Sequence, residues 1–146
     1  DALNQVTLSH TDFGSLPAET RAVQLPDQEG GGYFLTVFGR PQADTACECE
    51  RSQEANLAQS LHLLNSAEVQ GKLTAAEGRA AKLAADSTRT HEEKIRELYQ
   101  WVYSRDPVDD EGEIALAHIE KLQNKQQAYE DILWALVNTK EFLFNH

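Results

Sequence analysis

Two thiols, two carboxylates and a guanidinium lie within five consecutive residues, Cys47-Glu48-Cys49-Glu50-Arg51. We call this segment the cysteine cluster. It directly precedes a predicted helix, and a helix N-terminus favours the thiolate form of a cysteine. Three interpretations stay open. The pair is a redox disulfide that is easily reduced because its ring is short, a soft-metal site with His62 or His146 as a further ligand, or a purely structural element. The second cysteine pair of a common zinc site is missing.

Two arginines are candidate contacts for an anion or a partner, because a guanidinium presents a planar fork of donors. They are Arg40 and Arg51, with Glu50 beside the second. The competing interpretation is an internal salt bridge, which contributes little to stability when exposed. Glu50 and Glu141 also form a possible carboxylate pair for glycoside hydrolysis, which requires two carboxyl groups at a defined separation. No residue is assigned as catalytic, and a non-enzymatic role is favoured.

The histidines and tryptophans each have a structural interpretation. His62 is interpreted as a packed side chain and His146 as a solvated chain end, with metal ligation as the alternative for both. Trp101 and Trp134 lie among aliphatic residues at helical spacing, which predicts core packing rather than platforms on which sugars stack. The remaining histidines are predicted at the surface, and they are His10, His91 and His118.

Composition narrows the classes of protein and partner. The chain has 146 residues, a size typical of one domain, and we predict a single domain over 1–146. Its net charge of −11 disfavours nucleic acid and anionic membrane surfaces as partners. The longest apolar run, 132–137, is far shorter than the roughly 20 residues of a membrane-spanning helix. No Cys-x-x-Cys-His motif is present, so we expect no covalent haem and no other cofactor except a metal at Cys47 and Cys49.

The first third of the chain differs in composition from the rest. Residues 1–51 contain five of the eight glycines and three of the four prolines, which predicts an irregular arm with one short extended segment at 33–38. We expect this arm to wrap on the remaining residues. The opening residues read as the tail of an amphipathic helix, so the chain is expected to be the C-terminal piece of a longer protein.

Residues 52–146 are rich in Ala, Leu, Glu, Gln and Lys, which predicts a bundle of about five helices. A first helix is predicted at 55–64, and the last, at 128–137, is expected to form the centre of the core. Further helix starts are predicted at Ser66, at Thr74 with Glu77, at Thr90 with Glu93, and at Asp110.

Apolar spacing predicts which helix faces are buried. One predicted buried stripe contains Ile95, Leu98, Tyr99 and Val102. A second contains Ile114, Ala115, Ile119 and Leu122. The chain end is expected to close on the core through Phe142, Leu143 and Phe144.

Five stretches resemble a C-terminal domain of unknown function found in very large exported proteins of planctomycetes and related bacteria. They are Arg-Ala-Val-Gln-Leu-Pro at 21–26, Phe-Gly-Arg-Pro at 38–41, the cysteine cluster, Leu-Leu-Asn-Ser at 63–66, and the ending 133–146. These proteins often carry a cytochrome-c-like domain upstream. The sequence differs from this family pattern at Gln42-Ala43, where relatives are expected to have a basic residue. The resemblance implies a helical fold and an exported, for example periplasmic, location.

The sequence therefore predicts an all-α domain with an irregular N-terminal arm. Its predicted role is a non-catalytic structural or partner-docking module, whose partners are other domains of the parent chain, exported proteins or polysaccharide. The alternatives are a redox or metal centre at Cys47 and Cys49, and carbohydrate binding.

Overall fold

The computed structural model describes the N-terminal segment and nearly all of the second half of the chain. The described residues are 1–14, 16–17, 19–25, 35, 37–38, 66–108 and 110–145, without the side chains of 144 and 145. Within them the chain forms seven α-helices, one short 3-10 helix and no β-strand. The predicted all-α class is thus confirmed for this part. The predicted helix at 55–64 lies outside the described residues, as does much of the arm whose wrapping was predicted.

In the described part of the chain, one α-helix lies near the N-terminus, one ends at the midpoint of the chain and five lie in the second half. They are α1 (Ala2–Thr7), the 3-10 helix (Ala22–Gln24), α2 (Ala67–Leu73), α3 (Arg79–Ala85), α4 (His91–Tyr103), α5 (Glu111–Lys121), α6 (Lys125–Val137) and α7 (Lys140–Asn145). Helix α6 packs most extensively on α3, and α4 packs on α1, α5, α6 and α7. In the predicted extended segment, Leu35 and Val37 have helical backbone and the residues between and before them are not described.

Two predicted helix starts are confirmed by side-chain caps. The Thr90 hydroxyl accepts a hydrogen bond from the Glu93 N–H at 3.3 Å, and the Glu93 carboxylate accepts one from the Thr90 N–H at 2.8 Å. This reciprocal capping box satisfies two amides that the first turn of α4 leaves unpaired. At α2, the Ser66 hydroxyl accepts from the Val69 N–H at 3.4 Å.

The helix start predicted at Thr74 with Glu77 is wrong. Thr74 instead ends α2, and its hydroxyl donates back to the Gln70 carbonyl at 3.0 Å. Helix α3 begins after Gly78, where the chain turns so tightly that a Cβ atom would lie 2.9 Å from the Ala75 carbonyl oxygen. Only glycine fits this close approach, so the turn rather than the capping pattern determines where α3 begins.

Of the two later helix starts, the one after Asp110 is at the predicted position and the other is not. Helix α5 follows Asp110, whose side chain makes no capping bond with the described residues, while the Glu111 carboxylate accepts from the Val108 N–H at 2.9 Å. Helix α6 begins at Lys125, earlier than predicted, because the Asn124 side chain accepts from the Gln127 N–H at 3.2 Å.

The core lies between α6 and the helices around it. Tyr129, Leu133 and Val137 of α6 are fully buried, which confirms α6 as its centre. The four residues of the predicted α4 stripe are buried as well, and Leu3 and Val6 of α1 join the same cluster. Phe142 is buried against it, as predicted for the chain end. Burial of this apolar surface is the main stabilising contribution to the fold.

Three apolar side chains predicted in the core are exposed instead. Ile114 is 68% exposed, Trp101 48% and Trp134 36%. On α5, Ala115 and Ile119 define the buried face, and Ile114 is turned about 100° away from Ala115 because a helix has 3.6 residues per turn. Helix α6 likewise has an outer face, on which Trp134 lies. In the described part of the chain, no helix is long and apolar enough to cross a membrane.

Candidate functional site

All candidate redox, metal and anion contacts predicted from the sequence lie outside the described residues. They are Arg40, Cys47, Cys49, Glu50, Arg51, His62 and His146. The interpretations of the cysteine cluster therefore stay predictions. Among the described residues, no group of three or more His, Cys, Asp and Glu side chains is arranged to hold a metal ion.

Glu141, one member of the predicted carboxylate pair, is held in an arginine clamp. The Arg105 guanidinium donates to both Glu141 oxygens at 2.8 and 2.9 Å and to both Glu111 oxygens at 2.7 and 3.0 Å. Hydrogen bonds from Arg105 lower the pKa of both carboxyl groups. The clamp joins the segment after α4 to the starts of α5 and α7. It keeps Glu141 ionised, whereas a general acid must carry a proton.

Arg79 is a buried charged side chain that joins segments distant in the chain. It is only 5% exposed, and it donates from Nε to the Val6 carbonyl at 2.7 Å and from Nη2 to the Gln5 carbonyl at 3.0 Å. These carbonyls belong to the last turn of α1, where they have no partner within the helix. A third bond joins Nη1 to a Glu97 oxygen at 2.8 Å. Arg79 thus fixes α1 and α4 to the start of α3.

Trp101 lies directly over this arginine. The Arg79 guanidinium carbon is 4.2 Å from the centre of the indole ring, a distance at which a cation and an aromatic face attract each other. The second Glu97 oxygen accepts from Arg89, which also bonds Asp86. Trp101 is therefore half exposed, and the guanidinium of Arg79 packs against its ring. We call Arg79, Glu97 and Trp101 the tryptophan brace.

Lys72 is a buried ammonium group, and its hydrogen-bond partners among the described residues are neutral oxygens. It is 8% exposed, and Nζ donates to Asn4 Oδ1 at 2.8 Å, Thr11 Oγ1 at 2.8 Å and the His10 carbonyl at 3.2 Å. Burial lowers the pKa of this lysine, and the nearby Glu68 carboxylate opposes the shift. Because all three ammonium protons have acceptors, the side chain fastens the segment after α1 to α2.

Two of the surface grooves that the described residues form lie beside α2. The larger, of about 650 Å³, is lined by residues 8–12, by α2 and by the turn before α3. The smaller, of about 390 Å³, lies between α2 and α6 and has Trp134 at its wall. Its other lining residues are mostly polar, and they are Gln70, Leu73, Thr74, Asn124, Gln127, Glu130 and Asp131.

The described histidines have different surroundings. His10 is exposed, as predicted. His91 lies 2.8 Å from the hydroxyl of buried Tyr129, and burial raises the pKa of that tyrosine to about 12. His118 lies 3.0 Å from Asp131 at the edge of the smaller groove. Both histidines are half-buried rather than fully at the surface.

Sequence reasoning missed Arg79 and Lys72 as organising residues. Arg79 shares a helical face with Leu83, since residues four apart lie one above the other. A charged residue on such an apolar face indicates that its side chain binds a buried polar group, and this could have been predicted from the sequence. No comparable signal identified the carbonyls of α1, which are more than 70 residues away from Arg79 in the chain.

One protein family matches most of the chain. The family is PSD1, described as a protein of unknown function (DUF1553), and its sequence pattern matches residues 7–119. The matched range includes the tryptophan brace and Lys72 and ends within α5. Neither the curated proteins nor the solved structures include a significant match to the chain. The family match spans well over half of the sequence, and we conclude that the chain belongs to the PSD1 (DUF1553) family of unknown function.

Proposed function

We propose that this domain is a non-catalytic docking module, and that it binds another domain of a larger exported parent protein through the surface around Trp101. The resemblance of its sequence to the C-terminal domains of exported planctomycete proteins, many with an upstream cytochrome-c-like domain, supports the location and the kind of partner. The single observation that carries the docking role is the tryptophan brace.

An exposed tryptophan in a fixed position is the kind of side chain that dominates protein interfaces. Trp101 exposes 48% of its surface although the guanidinium of Arg79 packs on its ring. Arg79 is itself held by three hydrogen bonds. A side chain already ordered in the free protein loses little conformational entropy when it binds, so more of its contact energy appears as affinity.

The charge of the domain indicates the chemistry of the partner surface. The chain carries 24 acidic and 13 basic side chains. Most of the described arginines near the brace already bind carboxylates within the domain, as Arg79 and Arg89 do with Glu97. We therefore propose a partner surface rich in lysine and arginine, whose attraction to the domain weakens as salt is added.

The test measures binding between the domain and the rest of the parent chain, expressed separately. Trp101→Gln should raise the dissociation constant by about 30-fold or more, because replacing a hot-spot residue costs about 2 kcal/mol or more of binding free energy. Trp134→Gln is the matched control and should leave binding unchanged. An unchanged dissociation constant for Trp101→Gln would exclude this surface, and affinity independent of salt would exclude the basic partner.

Carbohydrate binding is a second candidate function, favoured by the smaller groove. That groove combines an exposed tryptophan with amide, hydroxyl and carboxylate side chains. The corresponding test is calorimetric titration of the domain with neutral oligosaccharides, and no heat from any of them would exclude this function.

The redox or metal centre at Cys47 and Cys49 stays an alternative proposal. Its support is the chemistry of the cysteine cluster, with His62 or His146 as a further ligand and Arg51 and Glu50 beside it. Intact mass and metal content of the non-reduced protein test it. A mass lower by two hydrogens indicates a disulfide, and stoichiometric metal with full mass indicates a metal site. Free thiols without metal would leave only a packing role.

A further inference from the structure

We propose that the groove between α2 and α6 is a binding site for a neutral oligosaccharide, with Trp134 as the platform on which one sugar ring stacks. This inference rests on the second candidate function and names its site and ligand class. It is independent of the docking role, because Trp101 belongs to a different helix and lies over Arg79.

The platform is Trp134, which is 36% exposed although its neighbours Leu133 and Val137 are fully buried. Trp134 is one of the residues that line the groove. The C–H groups on one face of a pyranose pack on an indole ring, which offers a large, rigid apolar surface. The groove volume of about 390 Å³ lies within the range of about 300–1,000 Å³ found for small-molecule sites.

The rest of the lining supplies partners for hydroxyl groups. Six of the eight lining residues are polar. Gln70 and Gln127 are exposed, and each amide offers two donors and an acceptor oxygen. Glu130 accepts one hydrogen bond from Gln126 at 2.8 Å, so its carboxylate retains acceptor capacity for hydroxyl donors. Sugar hydroxyls both donate and accept, and this mixture of groups is complementary to them.

The charges of the groove select against anionic ligands. Among the described lining residues the charged groups are the carboxylates of Glu130 and Asp131. A sulfated or uronic sugar would bring like charges close together, which is unfavourable. A peptide segment would need apolar pockets, and Leu73 and Trp134 are the two apolar side chains among the described lining residues. The lining therefore favours a neutral sugar over an anionic sugar and over a peptide.

The experiment uses the fact that the chain has two tryptophans. Trp101→Phe leaves Trp134 as the sole indole fluorophore, and Trp134→Phe leaves Trp101. Each variant, with circular dichroism confirming its fold, is titrated with neutral hexasaccharides of glucose, galactose, mannose and xylose and with heparin. Calorimetry on the same samples gives the dissociation constants.

We expect at least one neutral hexasaccharide to change the Trp134 emission saturably in Trp101→Phe, and heparin to leave it unchanged. Trp134→Ala should weaken that affinity by about tenfold or more, as expected for loss of a stacking contact and its buried area. Gln127→Ala should weaken it several-fold, whereas the matched control Gln100→Ala on α4 should not.

The other outcomes overturn the proposal in distinguishable ways. Saccharide binding that changes only the Trp101 emission, or that survives Trp134→Ala unchanged, would retain carbohydrate binding but reject this groove. Binding of heparin alone would reject the neutral ligand. No emission change and no heat with any neutral hexasaccharide would reject both the site and the carbohydrate function.

Discussion

Replacing Arg79 should destabilise the protein, because its buried guanidinium joins α1 and α4 to the start of α3. In Arg79→Ala, the carbonyls of Gln5 and Val6 lose their donors, and Trp101 loses the guanidinium beneath it. Glu97 keeps one partner, Arg89. Helix α1 would then be held to the bundle by the apolar contacts of its buried side chains and by the hydrogen bond from Lys72 to Asn4.

The size of the effect follows from the burial of these groups. Arg79 is 5% exposed, and removing one partner of a buried charged pair costs about 3–5 kcal/mol. Because Glu97 keeps Arg89, we expect the lower end, about 3 kcal/mol. Domains of this size lose about 2–4 °C in Tm per kcal/mol, so Tm should fall by roughly 6–12 °C. Arg79→Lys, which keeps the charge but not the planar fork, should cost about 1–2 kcal/mol.

The assay is urea unfolding followed by far-ultraviolet circular dichroism, with the free energy of unfolding extrapolated to water. Arg89→Ala is the matched control, because Arg89 binds the same Glu97 but its side chain is 42% exposed against 6% for Arg79. Its change should lie within the error of the measurement, since exposed ion pairs contribute little. A further readout is the emission of Trp101 in a Trp134→Phe background, which should shift when Arg79 is replaced.

Equal losses in the two alanine variants would refute this reasoning, because exposure would then not distinguish the two ion pairs. A loss below about 1 kcal/mol for Arg79→Ala would have the same meaning, since that is the range of exposed pairs. An altered m-value would instead show that the variant changes the extent of unfolding, and the free energies could not be compared directly.

Three more predictions use the same unfolding assay. Ile119→Ala should lower the free energy of unfolding by about 2–5 kcal/mol, because the side chain is fully buried. Ile114→Ala should change it by no more than about 0.5 kcal/mol, because that side chain is exposed. Similar values for the two variants would contradict the assigned buried face of α5. Thr90→Ala should cost about 0.5–2 kcal/mol and lower the helical signal, because the capping box of α4 is lost; an unchanged stability would show that the cap is dispensable. Arg105→Gln should make the free energy of unfolding fall less steeply as the pH is lowered. In the folded protein, Arg105 holds the pKa values of Glu111 and Glu141 below their ordinary 4.5. The stability that this shift contributes above pH 4.5 is lost as the pH falls through the folded-state pKa values. A pH profile parallel to that of the unmodified protein would contradict this assignment.

The local helix signals show which structural features can be read from sequence. The capping box at Thr90 was predictable because both of its side chains bond to backbone amides within the same turn. The buried stripe of α4 was predictable for a similar reason, since residues three and four apart face one side of a helix. The pattern at Thr74 failed because it ignored Gly78, whose tight turn places the start of α3 four residues later.

The candidate sites depended on contacts that no local pattern contains. Trp101 and Trp134 have aliphatic neighbours in sequence, which predicted burial for both. Their exposure follows from which helix faces other elements cover, and that depends on how α1, α2 and α3 pack on α4 and α6. The candidate residues at Cys47 and Cys49 were identified by residue type alone and remain predictions.

The sequence by itself determined the helical class, the negative charge, several helix starts and the stripes that form the core, because each of these depends on composition or on residues within two turns of one another. Tertiary structure alone decided that Arg79 binds the end of α1, that Lys72 fastens the segment after it, and that two tryptophans stay at the surface. These features join residues far apart in the chain, and their positions are fixed only when the helices pack together.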